Sequence, residues 1–437
     1  YNDTGHEISQ VVFFLLCMAT RIAQPLRGIS AISGEIKENT IELMVMTRLS
    51  AWRIAFGKWI SIVSQSALLI AAVAPYLIVR YFFGGMQLFP EIMILVSIFI
   101  LSASFTAITV GLSAIPSFII RGFLSAGIAI TVFATCTEIF DSRRDFQDLL
   151  DICGFATPID TAVFFISLVS AIYLGWLALD FGASYIAPVA ENRATPRRLI
   201  ALGLILVTVV VFMLSPDRML DGLPAIITIL AIPVCVISLT EQTFLVPTVS
   251  ASFLSRGLLT RLSRYLLYPG WQSGVWYTLL LYLIAAASVY VVDPHDQIKA
   301  LTAVTIIFST FLFPLAITKL FFKRKHLFTY YLSVLLAASV ISLVTFVVIG
   351  ITNAKGIAHF MCWLPPVQFY LFFDARYSYY TGRSSQVSHE FVFILSVISF
   401  AINWFICFIR SIPDWQAVRK NELVTKSMLA NISSDQT

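Results

Sequence analysis

Apolar runs of about 20 residues recur along this chain, separated by short polar breaks, and no other feature restricts its fold so strongly. An α-helix rises 1.5 Å per residue, so a run of about 20 crosses the hydrocarbon layer of a bilayer. Eleven runs reach that length, near 8–26, 59–83, 91–114, 118–138, 161–182, 199–215, 223–243, 274–292, 300–318, 327–351 and 391–409. Backbone groups in lipid must pair within their own segment, so helices rather than isolated strands are expected. The expected fold class is all-α, a polytopic transmembrane helical bundle with about eleven spans. Pro75, Pro233 and Pro314 fall inside runs and predict kinks. Composition agrees: 58% of residues are hydrophobic and 12% charged, against about a quarter charged in soluble domains.

The segment Gly34–Lys58 is the longest polar interruption in the first part of the chain, with Glu35, Lys37, Glu38, Glu42, Arg48, Arg53 and Lys58 between two spans. Its inner part, Asn39–Arg48, reads as a short helix. Asn39 or Thr40 can cap the start, and Glu42 suits the positive end of the helix dipole. Ile41, Met44 and Val45 share one side at i, i+3, i+4 spacing. An amphipathic helix lying on the membrane is one reading; a docking helix for a soluble partner is the other.

This stretch resembles the intracellular loop of type 2 ABC-transporter permeases. That loop runs as Glu, four residues, Thr, an apolar residue, Glu, a leucine-rich turn, then Gly-Lys opening the next span. The matching positions are Glu35, Thr40, Ile41, Glu42, Leu43, Met44, Thr47, Leu49, Gly57 and Lys58, with Pro75 and Gly84-Gly85 following. Asn39 replaces the usual Gly and Arg48 the usual Pro. The close likeness covers Glu35–Gly85 and a looser span pattern reaches Asn192. The resemblance implies a membrane permease subunit of an exporter, energised by a separate ABC ATPase. The docking loop would comprise Glu35, Glu38, Asn39, Thr40, Glu42, Arg48 and Lys58, with Thr40, Glu42 and Arg48 at the contact surface and Glu35 and Lys58 fixing its ends. It further implies pairing with a second permease unit, as a homo- or heterodimer, and one more span ahead of Tyr1.

Orientation follows from lysine and arginine placement. With the 34–58 loop inside, only Arg80, Arg143, Arg144, Arg218, Lys299, Lys355, Arg376 and Arg383 of the 29 basic residues lie outside. The C-terminal tail is then cytoplasmic, and a cell membrane, as in a bacterial inner membrane, is the expected location. The basic stretch 190–198, containing Pro196, reads as a cytoplasmic linker between a membrane domain at 1–189 and a second, six-span domain at 199–437. Ser250–Leu266 reads as one interfacial helix with arginines toward lipid headgroups, or as a second docking element. Phe140–Asp160 reads as a solvated outer helix. Asn353–Ser388 reads as an aromatic outer stretch, at the membrane interface or lining a substrate vestibule.

Several chemistries lack their residues. No phosphate-binding G-x-x-x-x-G-K-[ST] occurs, no H-E-x-x-H, and no G-x-S-x-G. No enzyme activity, cofactor or metal is therefore expected. Cys17, Cys136, Cys153, Cys235, Cys362 and Cys407 have no metal-ligand spacing. Cys153 and Cys362 both fall outside the membrane, which allows a disulfide, although two free thiols is the simpler expectation. Basic residues do not cluster with stacking aromatics, so nucleic acid is not an expected partner; membrane lipid is. Arg21, Arg80, Glu138, Asp180 and Glu241 read as lying near span ends, leaving no mid-depth charge for an ion-coupled mechanism. The alternative function is a polytopic transferase acting on a lipid-linked substrate, with His359, Asp374 and Arg376 as its nearest approach to a site. A third is a passive membrane scaffold.

Overall fold

The computed structural model describes residues 2–38, 50–81, 87–115, 117–141, 143–187, 191–213, 222–243, 245–253, 258–292, 294, 296–322, 327–352, 360–381 and 389–435. Every regular element among them is helical. Ten helical segments are long and apolar enough to cross a membrane. The run expected near 118–138 lies on a further helix whose apolar part, Arg121–Thr137, is shorter. The chain divides into two compact units, Tyr1–Pro188 and Val189–Thr437.

The first unit opens with a composite helix: α1 (Asn2–Met18), a π-helical segment (Ala19–Ala23), α2 (Gln24–Arg27), a 3₁₀ turn (Gly28–Ser30) and α3 (Ala31–Lys37). There follow α4 (Ala51–Tyr81), α5 (Leu88–Leu112), α6 (Phe118–Asp141), α7 (Arg143–Gly154) and α8 (Pro158–Ile186). Thr157 and Asp160 form a capping box at the start of α8, with Pro158 in its first turn, where a missing N–H costs nothing. The central pair is α5 against α8. Ser104, Ala107 and Gly111 face Gly175, Ala178 and Gly182, and a Cβ on Gly111 would stand 2.0 Å from the Ala178 carbonyl oxygen. Between membrane helices the hydrophobic effect is weak, and small residues that let backbones touch supply the packing instead. Two cores flank this pair. Ile94, Leu95 and Ile98 near the start of α5 pack with Phe13, Leu16, Phe146, Leu150, Phe164 and Leu168. Ala107, Val110 and Ala114 near its end pack with Ile32, Ala51, Ala55, Leu179 and Ala183. Helix α7, expected to be a solvated outer helix, is not solvated all round: Phe146, Leu150 and Cys153 form a buried stripe opposite exposed Asp145, Asp148 and Asp151.

The second unit holds α9 (Ala194–Met213), α10 (Leu223–Thr240), α11 (Pro247–Ser252), α12 (Leu258–Leu267), α13 (Trp271–Ser288), α14 (Gln297–Phe321), α15 (Leu327–Thr352), α16 (Pro365–Thr381) and α17 (His389–Asp435). Helices α10 and α13 meet as closely as α5 and α8 do, for a Cβ on Gly274 would lie 2.1 Å from the Ser238 carbonyl oxygen. A polar seam joins α14 to α17: Ser309 and Ser399 hydroxyls are 3.0 Å apart, and the Asn403 amide donates to Ser309 at 3.4 Å. At 47 residues, α17 is about 70 Å long. Its polar extension beyond Ile409 carries α11 and α12, through Val249, Tyr268 and Val418, an Asn421–Ser250 hydrogen bond of 2.7 Å and an Arg264–Glu422 ion pair of 2.8 Å.

Three segment readings change. Residues 250–266 are not one helix but fall on α11 and α12, and Arg264 turns to a protein carboxylate rather than to headgroups. Residues 365–381, read only as part of an aromatic outer stretch, form a helix that buries Val367, Leu371 and Phe372 against the unit. Residues from Ala194 onward belong to α9, with Arg197 and Arg198 buried, so the basic stretch is not wholly a linker. Pro75, Pro233 and Pro314 all lie inside helices, as expected.

Candidate functional site

Helix runs further into the expected docking loop from both sides than the sequence suggested. Helix continues to Lys37 on one side and begins at Ala51 on the other, so Glu35, Lys37, Arg53 and Lys58 are helical rather than part of a loop. Only 38–50 connects the helices. Of the expected docking residues, Glu35, Glu38 and Lys58 are placed; Asn39, Thr40, Glu42 and Arg48 lie outside the described residues. Glu38 caps α3, its N–H donating to the Gly34 carbonyl at 3.0 Å. The Lys58 ammonium donates to the Glu35 carboxylate, tying α3 to α4 at the base of the connection. Arg27 donates to Gln65 at 2.5 Å, a second tie between the same two spans. The Trp59 indole N–H reaches the Ala103 carbonyl at 2.8 Å and binds α4 to α5.

Arg121, 2% exposed, locks this end of the unit. Its guanidinium donates to the Ile29 carbonyl at 3.3 Å, the Ser113 carbonyl at 3.2 Å and the Ser33 hydroxyl. The Ser113 hydroxyl in turn accepts the Ile32 N–H at 3.0 Å and donates to the Val110 carbonyl at 2.6 Å. A planar fork of donors suits this work, because several helix-end carbonyls point at one place and lack intrahelical partners. The composite first helix, the end of α5 and the start of α6 thus share one hydrogen-bonded node, and Lys58–Glu35 and Trp59–Ala103 tie α4 to the first two of these.

A second feature is a charge away from the ends of its helix, at a residue the sequence placed near a span end. Arg21 sits in the π-helical segment, midway along the span Gln10–Lys37. The same level is marked by Ser102 in the middle of α5, which donates to the Thr20 carbonyl at 2.7 Å and lies 3.3 Å from the Ser66 hydroxyl. The positive charge of Arg21 acts on the Cys136 thiol on α6. Single π turns occur mostly at functional places, and a charged residue in a span is costly unless used.

The second unit has its own buried arginine. Arg198, fully buried, donates to the Leu266, Tyr268 and Gly270 carbonyls at 2.8, 3.1 and 3.0 Å, to the Ser273 hydroxyl at 2.7 Å and to the Glu241 carboxylate at 2.5 Å. Arg197 adds a longer contact to Glu241 at 3.4 Å. Glu241 is the helix-end carboxylate expected, C-capping α10, but its partners are arginines as well as backbone. Nearby, the Trp271 indole N–H donates to Asp414 at 2.8 Å and its ring lies under the Lys319 ammonium at 3.7 Å. Sequence reading took Arg197, Arg198 and Lys319 only as topology signals. The one available hint was Arg-Arg placed a helix turn inside a new apolar run, where hydration cannot follow.

Other expected sites are dispersed. His359 lies outside the described residues, and Asp374 and Arg376 fall on α16 with their side chains outside the description. All six cysteines are unbridged. No group of three or more His, Cys, Asp or Glu gathers as a metal cluster among the described residues. The fold defines a multi-pass α-helical membrane protein. No family model, curated protein or solved structure matches the chain.

Proposed function

We propose that this chain is the membrane permease component of an ATP-driven exporter of the type 2 ABC kind, driven by a separate ATPase that docks on the connection between its first two visible spans. The observation that carries the reading is the tie at the base of that connection. Glu35 and Lys58, two positions of the resemblance that lie 23 residues apart, meet as an ion pair. Beside it, Arg121 joins the 29–33 stretch of the first composite helix to Ser113 at the end of α5. A short rigid base under a polar segment suits a lever: the ATPase moves the segment, and the node passes the displacement to the spans. Cargo would then cross between this permease and a second permease unit.

The test is recovery of a partner. Full-length tagged protein is purified from its native membrane in mild detergent, and co-purifying proteins are identified by mass spectrometry. An ABC ATPase is expected in near-stoichiometric amount. Replacing Asn39–Arg48 by a Gly-Ser segment of equal length should abolish its recovery while the permease stays folded by gel filtration. Absence of any ATPase with the intact chain, or equal recovery with the replaced segment, would overturn the reading.

A further inference from the structure

The outer half of the first span holds a thiol pair that the proposed function does not use. Cys17 on α1 and Cys136 on α6 place their sulfurs 2.9 Å apart, although 119 residues separate them. Both are fully buried, among Val132, Phe14, Met18, Ile22 and Phe105. Ordinary contact between sulfurs is about 3.6 Å and a disulfide closes to about 2.05 Å, so less than an ångström of movement separates the thiols from a bond. Arg21 stands one turn along from Cys17, and its positive charge acts on both thiols. None of the other four cysteines has a second sulfur within hydrogen-bond distance among the described residues.

We propose that Cys17 and Cys136 are a redox modification site, in which a peroxide converts the two thiols to a disulfide that fastens α1 to α6. Thiol oxidation passes through negative charge on sulfur, and a guanidinium compensates that charge. The Cys136 sulfur attacks one peroxide oxygen; the O–O bond breaks, Cys136 becomes a sulfenic acid, and its thiol proton leaves with the departing oxygen as water. The Cys17 sulfur then attacks the Cys136 sulfur, the S–O bond breaks, and the Cys17 proton leaves with that hydroxide as a second water. Two thiols lose two electrons in all, and one hydrogen peroxide becomes two waters. The bond would lie two residues before the π-helical segment, holding the outer half of the first span fixed against α6. Arg21 is a positioning residue for this step.

The test uses the full-length protein in lipid nanodiscs, exposed to hydrogen peroxide, quenched with catalase, denatured and treated with a maleimide that shifts a gel band once per thiol. Six shifts are expected before oxidation and four after, with one cross-linked peptide pair, Cys17–Cys136, in the mass spectrum. Cys17→Ser and Cys136→Ser should each abolish that peptide pair without creating another, and Cys235→Ser should leave it intact. Arg21→Gln is expected to slow bond formation about tenfold and Arg21→Lys to keep it within about twofold. Six shifts after oxidation, or a cross-link that chooses other cysteines, would overturn the site; equal rates for Arg21→Gln and the unaltered chain would remove Arg21 from it. The readout needs neither an ATPase nor a cargo, so failure of the transporter reading leaves it standing.

Discussion

Replacing Arg198 by Met keeps most of the side chain's length and removes only its charge and donors. The structure sets what is lost. Three backbone carbonyls, one hydroxyl and the Glu241 carboxylate lose a donor together, and the side chain that served them is fully buried. Glu241 keeps Arg197 at 3.4 Å, which is too long to compensate for a 2.5 Å contact. Breaking one side of a buried ion pair costs about 3–5 kcal/mol, and each orphaned buried acceptor adds about 1–3 kcal/mol before water or side-chain shifts relieve it. We expect a net loss of about 4 kcal/mol or more, on the order of 10 °C in apparent melting temperature. Detergent-solubilised membrane proteins unfold irreversibly, so the measure is the temperature at which half of a fluorescent fusion leaves the monodisperse gel-filtration peak at a fixed heating time. Arg197→Met, whose contact to Glu241 is the longer one at 3.4 Å, should cost less than Arg198→Met on the same assay. In a double-mutant cycle, Glu241→Gln should cost much less on the Arg198→Met background than alone. Equal losses for Arg197→Met and Arg198→Met, or no loss for the latter, would refute the account of Arg198 as the hub.

Other substitutions probe the packing. Gly111→Val drives a side chain into the Ala178 carbonyl and should cost about 3 kcal/mol or more, whereas Gly57→Ala, with open space at its Cβ, should be stabilising by about 0.5–1 kcal/mol; both are read as melting shifts. Trp271→Phe keeps the ring under Lys319 but removes the N–H given to Asp414, for an expected loss of about 1.5–3 kcal/mol in the same assay. Burial pushes the Cys153 thiol up to about 12, so at pH 7.5 it is held as thiol; maleimide should label it only after denaturation, and rapid labelling of the folded protein would contradict its burial on α7. Lys58→Ala removes an ion pair that is 36% exposed on the lysine side, so stability should change by less than about 1 kcal/mol, while on the proposed function recovery of an ATPase should fall.

The membrane class, the all-helical content and most spans were legible in the sequence, because lipid leaves the backbone no alternative to helix and a run of about 20 apolar residues announces itself. The capping box at Thr157 and the apolar stripe of α7 follow local rules of the same kind. What the sequence did not reveal depends on partners far along the chain. Arg121 and Arg198 look like topology signals until Ser33, Ser113, Glu241 and the 266–273 turn are folded around them. The 365–381 helix looks only like a run of interface aromatics until α14, α15 and α17 cover its apolar side. Arg21 looks like a span-end charge until the composite helix carries on past it to Lys37, and Cys17 and Cys136 are two scattered thiols until α1 meets α6. Hydropathy is a property of each stretch taken alone, whereas a buried cation or a thiol pair is decided by which distant acceptor or sulfur the packing brings within about 3 Å.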